Sequence, residues 1–242
     1  MHPVAFADSF SDTGCDRATR SQYPVCTGGA VLGIAFDKGV AVAADRLASY
    51  GKMARYPNVS RLYSVNDQTL LAAMGDYADY QFIKCAIENK MMKIKCGDSD
   101  SSLSPLAMHS WLTAVLYDSR SRFNPFWNTF IIGGVVGEDK TPYLGFVDKL
   151  GVSYTNPYIA TGLGSYIVQQ SLENEYREKT QQGESLNETD AVSILEKGIE
   201  VLYYLDTSAF NKFEIAIVTN AGTKFLPVKT LYGNWDHAGR NM

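Results

Sequence analysis

An α+β fold with antiparallel sheets is predicted for this chain of 242 residues. Short strand pairs closed by tight turns recur along it, and between them lie pairs of segments whose apolar residues step by three and four, the period of a half-buried helix. Strands come in hairpins rather than each being followed by a helix, so βαβ winding is not expected.

Residues 1–26 mix Ser, Asp, Thr, Gly and Pro without apolar periodicity and are read as a leader or arm outside the core. Strands are predicted at 30–36 and 40–45, closed by Asp37-Lys38-Gly39, and at 61–66 and 69–74, closed by Asn66-Asp67-Gln68. Asp76 is a good N-cap for a helix to about residue 95, whose apolar stripe is Ile83, Ile87, Met91 and Ile94. Ser104 caps a second helix, Pro105 sits in its first turn, and Met108, Trp111, Leu112, Val115 and Leu116 form its buried face. Strands return at 127–136, 142–148 and 152–155, linked by Glu138-Asp139-Lys140 and Lys149-Leu150-Gly151. Helices follow at 164–179 and 187–205, the second with Leu195, Gly198, Ile199 and Leu202 on one side; Gly198 implies a close approach of its neighbour. A strand at 213–219, the turn Asn220-Ala221-Gly222 and a short strand to Phe225 close the fold. Residues 227–242 hold Tyr232 and Trp235, and their composition suits a frayed end and an aromatic clamp equally well.

The length suits one domain, placed at 27–226. Hydrophobic residues make up 45% and charged residues 20%, which is ordinary for a globular protein. A net charge of −4 with no basic stripe argues against nucleic acid as a partner. No apolar run approaches the roughly 20 residues of a membrane span, so no membrane association is expected. The acidic N-terminal stretch, with Asp8, Asp12 and Asp16, does not read as a secretory or mitochondrial signal, which leaves cytoplasm and nucleus. Cys15, Cys26, Cys85 and Cys96 form no CxxC pair and have no His at ligand spacing, so neither a metal nor a cofactor is expected. Cys85 and Cys96 share a predicted helix about 16 Å apart, too far for a disulfide. His2, His109 and His237 could serve as bases, but Ser110 follows His109 directly, and adjacent residues on a helix do not face each other.

Thr27-Gly28-Gly29 before the hairpin Ala30–Asp45 resembles the N-terminal signature of proteasome beta-type subunits, in which an exposed threonine attacks peptide bonds. Further strings are similar to the beta-7 type: Ser49-Tyr50-Gly51, Ala54-Arg55, Asn58-Val59-Ser60-Arg61, Gly75-Asp76-Tyr77-Ala78-Asp79, His109-Ser110-Trp111-Leu112-Thr113 and Asn124-Pro125-Phe126-Trp127-Asn128-Thr129. From Thr27 to about Tyr232 the element order also follows that family. The resemblance implies a four-layer αββα sandwich, the N-terminal nucleophile hydrolase fold, with two antiparallel sheets between helix pairs.

Aligned on Phe36-Asp37-Lys38-Gly39 and Asp45, the resemblance places Gly29 where active relatives carry the threonine, and Arg61 where they carry a lysine. Glycine has no hydroxyl, and an arginine stays charged, so it pairs with carboxylates but relays protons poorly. Leu47, Leu163 and Ala209 stand at further site positions, and Asp45 and Asp206 match acidic ones, both read as ion-pair partners of Arg61. No catalytic residue is therefore expected. The resemblance implies a structural beta subunit of the 20S core particle, in stacked rings with other alpha and beta subunits, whose C-terminal arm, through Asn234-Trp235-Asp236, reaches the opposite beta ring. The leader is expected to be cut in trans, between Arg20 and Ser21. Two other readings are an active threonine peptidase using Thr27 and a free-standing scaffold module.

Overall fold

The structure, a computed structural model, describes residues 22–97, 103–137, 139, 141–181 and 185–234. The expected Arg20-Ser21 cut, Cys15, His2, His237, the Trp235-Asp236 pair, and Glu138 and Lys140 of one turn lie outside the described residues.

The chain opens with seven strands: β1 (Cys26–Gly28), β2 (Val31–Phe36), β3 (Gly39–Asp45), β4 (Ala48–Tyr50), β5 (Met53–Tyr56), β6 (Leu62–Asn66) and β7 (Thr69–Asp76). Helices α1 (Tyr77–Cys96) and α2 (Pro105–Ser121) follow, then β8 (Asn128–Val136), β9 (Thr141–Val147), β10 (Ser153–Thr155) and β11 (Tyr158–Ala160). Next come α3 (Gly164–Ile167), α4 (Gln169–Gln181) and α5 (Glu188–Leu205), before β12 (Lys212–Thr219), β13 (Gly222–Phe225) and β14 (Lys229–Thr230). One sheet has eight strands in the order β10-β9-β8-β7-β1-β4-β5, with β6 also on β7; the other has six in the order β11-β2-β3-β12-β13, with β14 also on β12. Among the described residues every strand pair is antiparallel.

Three apolar cores stack these elements into four layers. Because side chains alternate across a strand, a strand with both faces covered feeds two cores at once. On β3, Val40, Val42 and Ala44 point into the space between the sheets, while Ala41 and Ala43 point at the helices. β12 divides likewise, with Ala216 and Val218 between the sheets and Phe213, Ile215 and Ile217 under α5. The second sheet repeats the pattern: Leu70 and Ala72 of β7 and Ile131 of β8 face inward, and Leu71, Ala73, Phe130 and Ile132 meet α1 and α2. This is the αββα sandwich that the resemblance implied.

The helix ends follow their residues. Asp76 accepts the Asp79 N–H at 3.0 Å and Ser104 accepts the Ala107 N–H at 3.2 Å, each satisfying a free donor of a first turn. At Gly198 a methyl group would lie 2.8 Å from Leu32 Cδ1 and 3.0 Å from Val168 Cγ1, so α5 sits hard against β2 as well as the adjoining helix end.

The differences from the sequence reading lie in short elements. Regular structure begins at Cys26 rather than Ala30, and β4, β5, β11 and β14 appear where no strand was expected. All four residues of β5 are exposed, so no burial pattern announces it. The helix expected over 164–179 breaks at Val168 because Gln169 turns back to the open edge of β11. Its Oε1 accepts the Ala160 N–H at 2.7 Å and its Nε2 donates to the Tyr158 carbonyl at 3.3 Å. A side-chain amide thus covers a sheet edge that would otherwise stand open.

Candidate functional site

Gly29 and Ala30 cross from β1 in one sheet to β2 in the other, and the residues singled out in the sequence gather around that crossing. Arg61, which precedes β6, sends its side chain beneath it and is 2% exposed. Its Nη1 donates to the carbonyls of Gly29 (2.6 Å) and Ala73 (3.1 Å), and its Nη2 to those of Ala30 (3.3 Å) and Asp45 (3.1 Å). Nε donates to the Asp45 carbonyl at 3.3 Å, and Nη2 also bonds Asp45 Oδ1. One planar guanidinium thereby ties the β1–β2 crossing to the end of β3 and to β7, joining the two sheets. Arginine suits this because its donors are fixed in a fork and its charge is permanent.

The fit is tight on one side and loose on the other. A methyl group at Gly28 would lie 2.3 Å from Arg61 Cδ and 2.9 Å from Nε, so a side chain there and this arginine exclude each other. At Gly29 a methyl group would lie 3.5 Å from Asp45 Oδ1, an ordinary contact. The absence of a side chain at 29 is therefore not imposed by space.

Asp45 ends β3 and is 5% exposed. Burial pushes its carboxyl above the usual carboxylate range; the Arg61 charge pulls the other way, and Asp206 adds to the rise. Among the described residues its Oδ2 has no hydrogen-bond partner, and Asp45 lines a narrow crevice together with Ala30, Asp206, Ala209 and Phe210. The void there is about 10 Å³, at most the room of one water.

The expectation that Asp206 also pairs with Arg61 is corrected. Asp206 Oδ1 accepts the Ser208 N–H at 2.8 Å and the Ser208 hydroxyl at 2.6 Å, closing a turn just after α5. A local bond two residues away satisfies the carboxylate before a cross-sheet partner can. Leu47 is buried just after β3, Ala209 lines the crevice, and Leu163 is 45% exposed at the start of α3, outside the Arg61 network.

Other conceivable nucleophiles and bases are engaged elsewhere. Thr27 lies inside β1 between two paired strands, and its nitrogen belongs to a peptide bond. Burial and the nearby Asp76 carboxylate push the Cys26 thiol up, away from the reactive thiolate. His109 is buried: its Nε2–H donates to the Phe146 carbonyl at 2.9 Å, and Nδ1 accepts the Tyr143 hydroxyl at 2.6 Å. Ser110 beside it faces outward. Among the described residues no group of three or more His, Cys, Asp or Glu could hold a metal, and no helix is long and apolar enough to cross a membrane.

The sequence reading passed over a second ionic cluster next to the first. Arg46 Nη1 meets Glu214 Oε2 at 2.5 Å and its Nε donates to Asn58 Oδ1 at 3.0 Å, while the Ser60 hydroxyl donates to Glu214 Oε1. Asn58 and Ser60 stand in the string Asn58-Val59-Ser60-Arg61, so the signal was present without a partner to explain it. Gly28, whose bareness Arg61 requires, was likewise read only as a neighbour of Gly29.

A family model described as "Proteasome subunit" matches residues 25–218. "Proteasome subunit beta type-4" of Xenopus laevis is 44% identical over 93% of this chain and 90% of its own length. "Probable proteasome subunit beta type-7" of Schizosaccharomyces pombe is 36% identical over 90% of this chain and 83% of its own length. "Proteasome subunit beta type-7" of Saccharomyces cerevisiae is 32% identical over 97% of this chain and 90% of its own length. Relatives bearing the type-4 name and the type-7 name thus both match nearly the whole chain.

Proposed function

Since the chain belongs to the proteasome subunit family and is a beta subunit of the 20S core, we propose that it serves there without catalysing hydrolysis. The observation that carries this reading is the pairing of a bare Gly29 with the Arg61 fork beneath it. A terminal-nucleophile mechanism needs a hydroxyl and the free α-amine of the same residue. Gly29 has neither, since its nitrogen is joined to Gly28 in a paired strand. Arg61 holds carbonyls instead of shuttling a proton. Five altered positions, Gly29, Leu47, Arg61, Leu163 and Ala209, favour loss of a whole machinery over drift at one residue.

The work left to such a subunit is assembly in cytoplasm and nucleus: closing a ring with its neighbours and pairing with the opposite ring. A domain at 27–226 supplies the lateral faces, and the arm from 227 onward reaches across. Exposed Tyr166, Leu205, Val228 and Tyr232 suit burial against other subunits. Deletion of residues after Leu231 is expected to weaken ring pairing; unchanged assembly of the deletion variant would remove the arm from this account.

The test of the central reading is native mass spectrometry of the endogenous particle after treatment with a threonine-reactive probe. The chain is expected inside the stacked-ring particle and unlabelled. Label on a fragment beginning at Thr27 would establish an active peptidase, and an unlabelled chain found outside the particle would favour a free-standing scaffold.

A further inference from the structure

We propose that a cavity at the end of the sandwich remote from Gly29 is a socket for an arginine side chain, carried by an extended segment of a partner protein.

The cavity forms where the two sheets part. β2 runs from Val31, next to the crossing that Arg61 holds, to Phe36, roughly 17 Å away. Near that far end the chain passes from β10 in one sheet to β11 in the other through Asn156 and Pro157. Two backbone bonds pin the passage: Asn156 N–H donates to the Leu144 carbonyl at 3.3 Å, and Ala35 N–H donates to the Pro157 carbonyl at 2.7 Å. Both β10 and β11 end their sheets, so the passage lies at an edge of the sandwich. Between it, the start of β9 and the end of α4 lies a void of about 570 Å³. Pockets for small ligands and single side chains with their flanks run from roughly 300 to 1,000 Å³. Thr155, Pro157 and Ser185 on its lining are exposed, which leaves it open to solvent.

The lining selects a cation with a flat head. Among the described residues Asp37 is the one charged group on it, and no cation among them pairs with that carboxylate. Its backbone is tied down, since Asp37 N–H donates to the Leu186 carbonyl at 3.1 Å. Tyr143 and Tyr176 also line the void, and both are held in place by the fold. The Tyr143 hydroxyl bonds the buried His109 ring at 2.6 Å, and the Tyr176 ring lies 5.6 Å from that of Tyr158. Thr155, Asn156 and Ser185 add neutral oxygens that accept hydrogen bonds. An arginine matches this set: its stem suits the apolar carbons, its plane stacks on tyrosine, its five N–H groups serve the oxygens and its charge meets Asp37. An anion would meet repulsion from Asp37 and find no cation to hold it. Past Asp37 a second void of about 470 Å³ shares Phe36, Asp37 and Leu186 with the first and reaches Asn220 and Ala221. It carries Lys38 and Glu188, one charge of each sign, so selection for a cation lies in the first void while the second gives a track for flanking residues. The occupant is therefore a segment of chain rather than a free amino acid.

Calorimetric titration of the full-length chain with the synthetic peptide acetyl-Gly-Arg-Gly-amide tests this. Saturable binding of one peptide per chain is expected, and the same peptide with citrulline, which keeps the shape and loses the charge, is expected to bind at least about tenfold more weakly. Asp37→Asn, in an exposed turn, is expected to weaken the arginine peptide by at least about fivefold. Glu200→Gln removes the same charge at an exposed place on α5 outside the cavity and is expected to change binding by less than about twofold. Absence of saturable binding, equal binding of the two peptides, or equal effects of the two substitutions would overturn the socket. Should the chain alone not stay folded, the purified particle gives the answer with a benzophenone-bearing form of the arginine peptide. Crosslinks are expected at 35–37, 142–144 or 155–157, suppressed by excess arginine peptide and not by the citrulline peptide; crosslinks confined to other places would overturn the proposal. None of these readouts involves hydrolysis, so a chain labelled by the threonine-reactive probe would end the non-catalytic reading without touching them.

Discussion

Asp45 and Arg46 are neighbours in sequence, yet they belong to two ionic clusters of opposite design. Asp45 meets Arg61 deep in the fold, with side chains 6% and 2% exposed, and the arginine spends its donors on four backbone carbonyls, two at the β1–β2 crossing, one at the end of β3 and one within β7. Arg46 meets Glu214 at the rim, with side chains 17% and 5% exposed, and its other bond goes to a side chain, Asn58. The inner pair holds the backbone crossing between the sheets, whereas the outer pair holds only side chains. Removing a partner from the inner pair leaves a buried charge and orphaned carbonyls, while water can replace much of what the outer arginine does.

The largest expected effect separates the two directly. Arg61→Ala should destabilise the chain by about 3–5 kcal/mol in urea unfolding, since Asp45 loses its ionic partner and four carbonyls lose donors. Arg46→Ala should cost less, about 1–2 kcal/mol, because Glu214, though itself buried, keeps the Ser60 hydroxyl, the half-open place of the Arg46 side chain can take up water, and no backbone carbonyl loses a donor. Equal losses would break the comparison. Gly29→Ala marks the low end: with 3.5 Å of room to Asp45 Oδ1, it should change stability by no more than about 0.5 kcal/mol. Gly29→Thr, which returns a hydroxyl to the same place, should produce no peptide hydrolysis, because its α-amine remains in the chain and Arg61 remains below it. Detectable cleavage of a fluorogenic peptide by an otherwise inactivated particle carrying this variant would contradict the account.

Much of this organisation was legible in the sequence, where periodicity and burial coincide. The stripe Ile83, Ile87, Met91 and the caps Asp76 and Ser104 placed α1 and α2, and the apolar runs of β3 and β12 marked strands covered on both faces. The layer order itself came from the family resemblance, since periodicity tells which face is buried and not what covers it. Short elements escaped for a physical reason. β1, β4 and β11 have three residues each, too few for alternation to show, and β5 is wholly exposed. At the site, the Asp45–Arg61 pairing was readable from the family's pattern, but the Asp206 pairing was not realised because a turn two residues long captured its carboxylate. The demand that Arg61 places on Gly28 could not be read at all, since it depends on the path of a side chain 33 positions away in sequence, whose Cδ passes 2.3 Å from where a β-carbon on Gly28 would sit.

That interlock is where the account is most exposed. A double-mutant cycle with Gly28→Ala and Arg61→Ala in the full-length chain, read by urea unfolding, measures it directly. If Arg61 is a brace seated under a bare backbone, Gly28→Ala alone should cost about 1–3 kcal/mol and should cost at least about 1 kcal/mol less once the arginine is gone. Losses that simply add, within about 0.5 kcal/mol, would mean that Arg61 and Gly28 act independently and that the site is not held together in this way.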